Sequence, residues 1–127
     1  MSYDEKIDRL NDLKIEDFIW VIYIGIIVLS YYSNSLERKY ILYNDMESKE
    51  KYRKIMIFIF SILIIVYLYF LKDSYSDIKN IDFNYPSESD RLLYLSFIGS
   101  LLIAISGFIF LYISIKDEDL NVELAFN

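Results

Sequence analysis

The chain has 127 residues, a formal net charge of -6, and 55% hydrophobic and 18% aromatic residues, more apolar matter than a small soluble domain carries. It contains neither Cys nor His, which excludes disulfides, thiolate nucleophiles, the usual zinc and haem ligands and the commonest general base. The apolar residues gather into three blocks almost free of charge, from Phe18, Ile55 and Leu92 onward, so the expected fold class is an all-α membrane protein with three transmembrane helices, a short N-terminal amphipathic helix and an ordered C-terminal tail.

Residues 1–17 hold six acids (Asp4, Glu5, Asp8, Asp12, Glu16, Asp17) against three bases (Lys6, Arg9, Lys14). A cleaved signal peptide has a basic n-region, so the first apolar block is expected to be retained as structure. Ser2-x-x-Glu5 predicts a capping box opening a short helix that carries Tyr3, Ile7, Leu10 and Lys14 on one face. The first span is predicted at 18–36, where an apolar run of 15 residues is extended through Ser33, Asn34 and Ser35 to Leu36. Its 19 residues compare with the roughly 20 needed to cross about 30 Å of hydrocarbon.

The second span is predicted at 55–71, interrupted only by Ser61 and two Tyr. The third is predicted at 92–115, whose 24 residues make about 36 Å of helix. Pro86 and Ser87-x-x-Asp90 mark its start. Tyr31, Tyr32, Tyr67, Tyr69, Tyr94 and Tyr112 lie near block ends, where an amphipathic ring suits the headgroup region, although a low-GC genome accounts for them equally well.

Of the 13 Lys and Arg residues, three precede the first span, six fall in a predicted loop 34–54, three in loop 72–91 and one in the tail 116–127. The dense cluster of Arg38, Lys39, Lys49, Lys51, Arg53 and Lys54 favours that loop and the C-terminus in the cytoplasm, with the N-terminus outside. The cluster reads either as an anchor to lipid headgroups or as a site for an anionic ligand, with Tyr40, Tyr43 and Tyr52 placed to stack on nucleobases.

Along the third span Ser96, Gly99, Ser100, Ala104, Gly107 and Ser114 fall within an arc of about 140° on one helix face. Two readings stay open: small residues that let helices approach closely, or hydroxyls lining a path gated at an apolar position such as Ile103. A path would need self-association, because three helices of this size do not enclose a lumen. The lack of charge inside the three blocks argues against a proton relay, an ion-coupled transporter or a voltage sensor.

The tail carries the acids Asp117, Glu118, Asp119 and Glu123, with apolar residues at 120, 122, 124 and 126. This period of two suits a short strand needing a partner chain or neighbouring loop, which predicts an ordered tail docked between subunits; the alternative is a floppy solvated tail. No carboxylate pair, phosphate loop or nucleophile arrangement stands out, and Glu16-Asp17 reads as a solvated helix end, so neither an enzyme nor a cofactor is expected.

Glu16-Asp-Phe-Ile-Trp20, Tyr32-Ser-Asn34, Leu95-Ser-Phe-Ile-Gly-Ser-Leu-Leu102, Ile105-Ser-Gly107 and the closing Glu123-Leu-Ala-Phe-Asn127 together resemble, over nearly the whole chain, the small channel-forming membrane effector of two-gene Hailong-type bacterial anti-phage systems. The resemblance implies a homotetrameric pore in the bacterial inner membrane. It would be held closed by the nucleic-acid-like product of a partner nucleotidyltransferase and would open during infection to depolarise the cell. The charge of -6 would repel such a ligand everywhere but at 34–54, while the acidic termini would draw cations to a pore mouth. The alternatives are a non-conducting membrane binding protein, such as a bacteriocin immunity protein or an accessory subunit, and a holin, whose usual basic tail this chain lacks.

Overall fold

A computed structural model describes residues 2–79, 81, 84–85 and 87–124. They form three helices, α1 (Tyr3–Tyr43), α2 (Met46–Ile78) and α3 (Glu88–Lys116). At 1.5 Å per residue these are about 60, 50 and 43 Å long, so each runs well past the ~30 Å of a hydrocarbon core.

Helix starts follow the local chemistry read from sequence. Ser2 Oγ accepts from the Glu5 amide at 3.2 Å while Glu5 accepts from the Ser2 amide at 3.1 Å. Ser87 and Asp90 repeat the arrangement at 3.1 and 3.0 Å to open α3; Pro86 lies outside the described residues.

Three boundaries differ from expectation. The amphipathic segment 1–17 is no separate helix, because from Tyr3 it runs unbroken into the first apolar block as α1; no Gly, Pro or cap intervenes to stop it. The predicted loop 34–54 is almost wholly helical, and the chain reverses in two residues. Asn44 ends α1 in the left-handed region at φ 54°, a conformation Asn tolerates. Asp45 caps α2 through the Glu47 amide and the Ser48 hydroxyl, and Ser48 above all holds the Asp45 carboxyl below its ordinary pKa. In the tail, the described residues form a turn and not a strand. The Asp117 carboxylate accepts from the amides of Asn121 and Val122 at 3.1 and 2.7 Å, which curls the chain before any extended pairing can begin. Phe126, the last position of the predicted period, lies outside the described residues.

Helix α2 is the centre of the molecule. It packs on α1 along one side and on α3 along the other, and α1 and α3 do not pack on each other. Met56, Ile59 and Phe60 are almost fully buried, and Phe60 stacks on Phe110 of α3 at 5.6 Å. Helix α1 presents Ile19, Ile26, Ser33 and Leu36 to the core, and α3 presents Ala104, Gly107 and Ser114. Both buried stripes are narrow.

Along the apolar stretches the remaining faces expose hydrocarbon, including Phe18, Val21, Ile24, Ile27 and Val28 on α1 and Leu102, Ile105, Phe108 and Ile109 on α3. Helices α2 and α3 are long and apolar enough to cross a bilayer, yet only 33% and 17% of their apolar windows are buried. A core helix of a soluble protein shows the reverse.

Candidate functional site

Two regions combine enclosure with polar groups, one at each end of the bundle. The first is a groove of about 560 Å³ between α1 and α3, floored by α2. Glu16, Trp20 and Tyr23 of α1 form one wall, and Ser96, Ser100 and Ile103 of α3 the other. The floor carries Tyr67, Asp73, Ser74 and Asp77. Ser74 and Ser100 join across it, hydroxyl to hydroxyl, at 2.9 Å. Just beyond the apolar run 55–71, burial pushes the Asp73 carboxyl above its ordinary pKa, and the nearby carboxylates of Asp77, Asp12 and Glu16 push it the same way.

The serine and glycine stripe of α3 is thus divided between two surroundings. Ala104, Gly107 and Ser114 face α2 inside the chain. A Cβ at Gly107 would lie 3.0 Å from Tyr67 Cδ2 and 3.3 Å from Ile64 Cγ1, so glycine is what permits the close approach. The Ser114 hydroxyl is spent on the Phe110 carbonyl of its own helix at 2.9 Å. Ser96, Ser100 and Ile103 instead line the groove, and a Cβ at Gly99 would meet only open space.

The second region lies at the opposite end, where α1 turns into α2 and α3 runs into the tail. The six basic residues predicted to act as one cluster are not gathered into one site. Lys49 is buried, ion-paired to Asp119 at 3.3 Å, with its ammonium 5.4 Å from the centre of the Tyr40 ring. Arg53 donates to the Ile115 carbonyl at 3.0 Å and pairs with Glu50 at 3.7 Å. Lys51 pairs with Glu47 one turn away, while Arg38, Lys39 and Lys54 stay exposed.

Beneath the tail is a cavity of about 250 Å³ lined by Glu37, Tyr52, Arg53, Asp117 and Glu123 among others. Burial and the facing Glu123 carboxylate push the Glu37 carboxyl above its ordinary pKa, against a hydrogen bond from Tyr52. Of the tail acids, Asp117 shapes the turn, Asp119 holds Lys49 and Glu123 faces Glu37; Glu118 is exposed.

Asp73, Ser74, Asp77 and Glu37 escaped the sequence reading as site residues, Glu16 reads there as a solvated helix end, and Tyr52, which reads as a stacking residue, instead lines the cavity beneath the tail. Asp73 and Asp77 stand one helical turn apart directly after an apolar block, and that spacing was the available signal. Among the described residues no group of three or more His, Cys, Asp or Glu is arranged to hold a metal ion. The geometry defines a helical protein with two helices able to cross a membrane and a polar groove along its side. Comparison of the chain with protein-family models, with curated proteins and with solved structures gives no match.

Proposed function

We propose that the chain crosses the bacterial inner membrane three times and assembles with copies of itself into an ion-conducting pore. Four subunits, a toxic role in anti-phage defence and control by a partner nucleotidyltransferase product follow from the resemblance noted above and belong to the same proposal. The observation that carries the pore reading is the open groove. Ser96 and Ser100 line it from within the apolar run 92–115, beside bare hydrocarbon of α3; Ser100 is partnered by Ser74, and a hydroxyl such as Ser96 left against lipid is unfavourable. A neighbouring copy closing the groove would turn those hydroxyls into the lining of a path. Helix α1 supplies the third crossing through its charge-free stretch 18–36. Three crossings would put the termini on opposite sides, and the basic residues of 34–54 favour the tail in the cytoplasm and the N-terminus outside.

The test is reconstitution of the purified protein in liposomes loaded with a fluorescent ion reporter, with the mass of the detergent-solubilised species measured in parallel. Ion flux from a defined oligomer is the expected result. A silent monomer would move the reading to a non-conducting binding protein, such as an immunity protein or accessory subunit. One observation favours that second reading: residues 2–15 of α1 are exposed throughout, with Tyr3, Leu10, Leu13 and Ile15 bare, as a handle for another protein would be.

A further inference from the structure

The tail supplies a connection that the helices themselves lack. Because α1 and α3 flank α2 without packing on each other, each end of the bundle carries a cavity between them. At one end it is the groove beside Asp73 and Ser100. At the opposite end residues 117–124 follow α3 across α2 toward α1. There Asp119 takes the Lys49 ammonium at 3.3 Å. Leu124, only 6% exposed, joins the core cluster that includes Leu36 of α1 and Met56 of α2. Glu123 meets Glu37 of α1 over the small cavity.

We propose that residues 117–124 are a strap that covers the cavity between α1, α2 and α3 at this end, and that releasing the strap opens the pore. The inference rests on the pore reading and adds its regulation. The balance of contacts suits a part that lets go. The Asp119 side chain is 75% exposed and within reach of water and salt, although its partner Lys49 is only 7% exposed and holds it against that competition. Leu120 sits at φ 56°, a conformation that a residue with a Cβ leaves when its surroundings permit. Glu37 and Glu123 bring like charge together, which pushes the Glu37 carboxyl up and opposes docking while both are ionised. Against these stand the buried Leu124, the partly buried Leu120, the Lys49–Asp119 pair and the turn held by Asp117. The tail end thus has a small cover, while the groove at the other end stands open.

The chain has no cysteine, so a Glu50→Cys, Asp119→Cys pair, exposed at both positions and beside the Lys49–Asp119 contact, can be bridged by a short bismaleimide. In liposomes the bridged protein is expected to pass ions at least tenfold more slowly than the same protein unbridged, and Asp119→Lys several-fold faster than the unsubstituted chain. Spin labels at Arg38→Cys and Glu118→Cys follow the strap independently of flux, and Asp119→Lys should lengthen and broaden their separation. Leu124→Asp is the second release variant. If the labels stay close in both release variants, the tail is a fixed part of the fold and the strap is overturned. Equal flux from bridged and released protein overturns the strap and leaves the pore standing. No flux from any form, released ones included, overturns the pore reading and the strap with it.

Discussion

At Gly107 the α2–α3 contact has no room for a side chain. Its missing Cβ would sit 3.0 and 3.2 Å from the Tyr67 ring and 3.3 Å from Ile64. Gly107→Leu is therefore expected to force the helices apart and lower stability by about 2–3 kcal/mol, measured by denaturant unfolding in detergent. Ser100→Ala should cost about 0.5–1 kcal/mol, the worth of one hydrogen bond between membrane helices, and Gly99→Leu should leave the single chain intact because nothing stands near that position. If Gly107→Leu unfolds at the same denaturant concentration as the unsubstituted protein, this packing is mistaken. The stripe itself was legible from spacing, whereas its division was not. Whether a small residue touches Tyr67 or opens on a groove depends on how α3 is rotated against α2, and residues on one helix do not encode that.

Among the elements, the three apolar blocks and both serine capping boxes were readable because each depends on residues adjacent in sequence. The helix ends were not. Charged residues over 37–54 read as a loop, yet Lys51 with Glu47 and Arg53 with Glu50 support helix one turn apart. The only marker of the reversal is Asn44-Asp45. The tail defeated its period-two pattern because Asp117 captures two amides locally.

That element also carries a pH dependence. Glu37 faces Tyr52 and Arg53 of α2, Ser114 of α3, and Asp117 and Glu123 of the tail, with Arg38 beside it on α1. Its carboxyl is raised above the ordinary 4.5 by burial and then by Glu123. A raised folded-state pKa means that protonation favours the docked tail. The contribution is fully present below the ordinary value and is lost as pH rises through the raised one. The docked fraction, read from the label separation between α1 and the tail, should fall over that interval, and Glu37→Gln should flatten the curve. A curve of the same shape in the Gln variant would assign the dependence to other groups.

On the scale of the whole molecule, three antiparallel helices put the start of α1 and the end of α3 at opposite ends, with the α1–α2 reversal beside the tail. In sealed vesicles, Asp4→Cys and Glu118→Cys should react with a membrane-impermeant maleimide from opposite sides. Labelling of both from one side would mean that α1 lies along the surface and that only α2 and α3 cross. The groove could not be read from sequence because Glu16, Asp73 and Ser100 belong to three different helices and meet only through their common contact with α2.

The same central position of α2 shapes how the protein can change over evolutionary time. With no direct packing between α1 and α3, a substitution in the α1 seam and one in the α3 seam couple only through α2 and the tail. Where they touch different α2 side chains, the two seams can drift separately. Helix α2 has no such freedom: it serves both seams at once, so lineages should vary quickly in the outer helices around a slowly changing middle one.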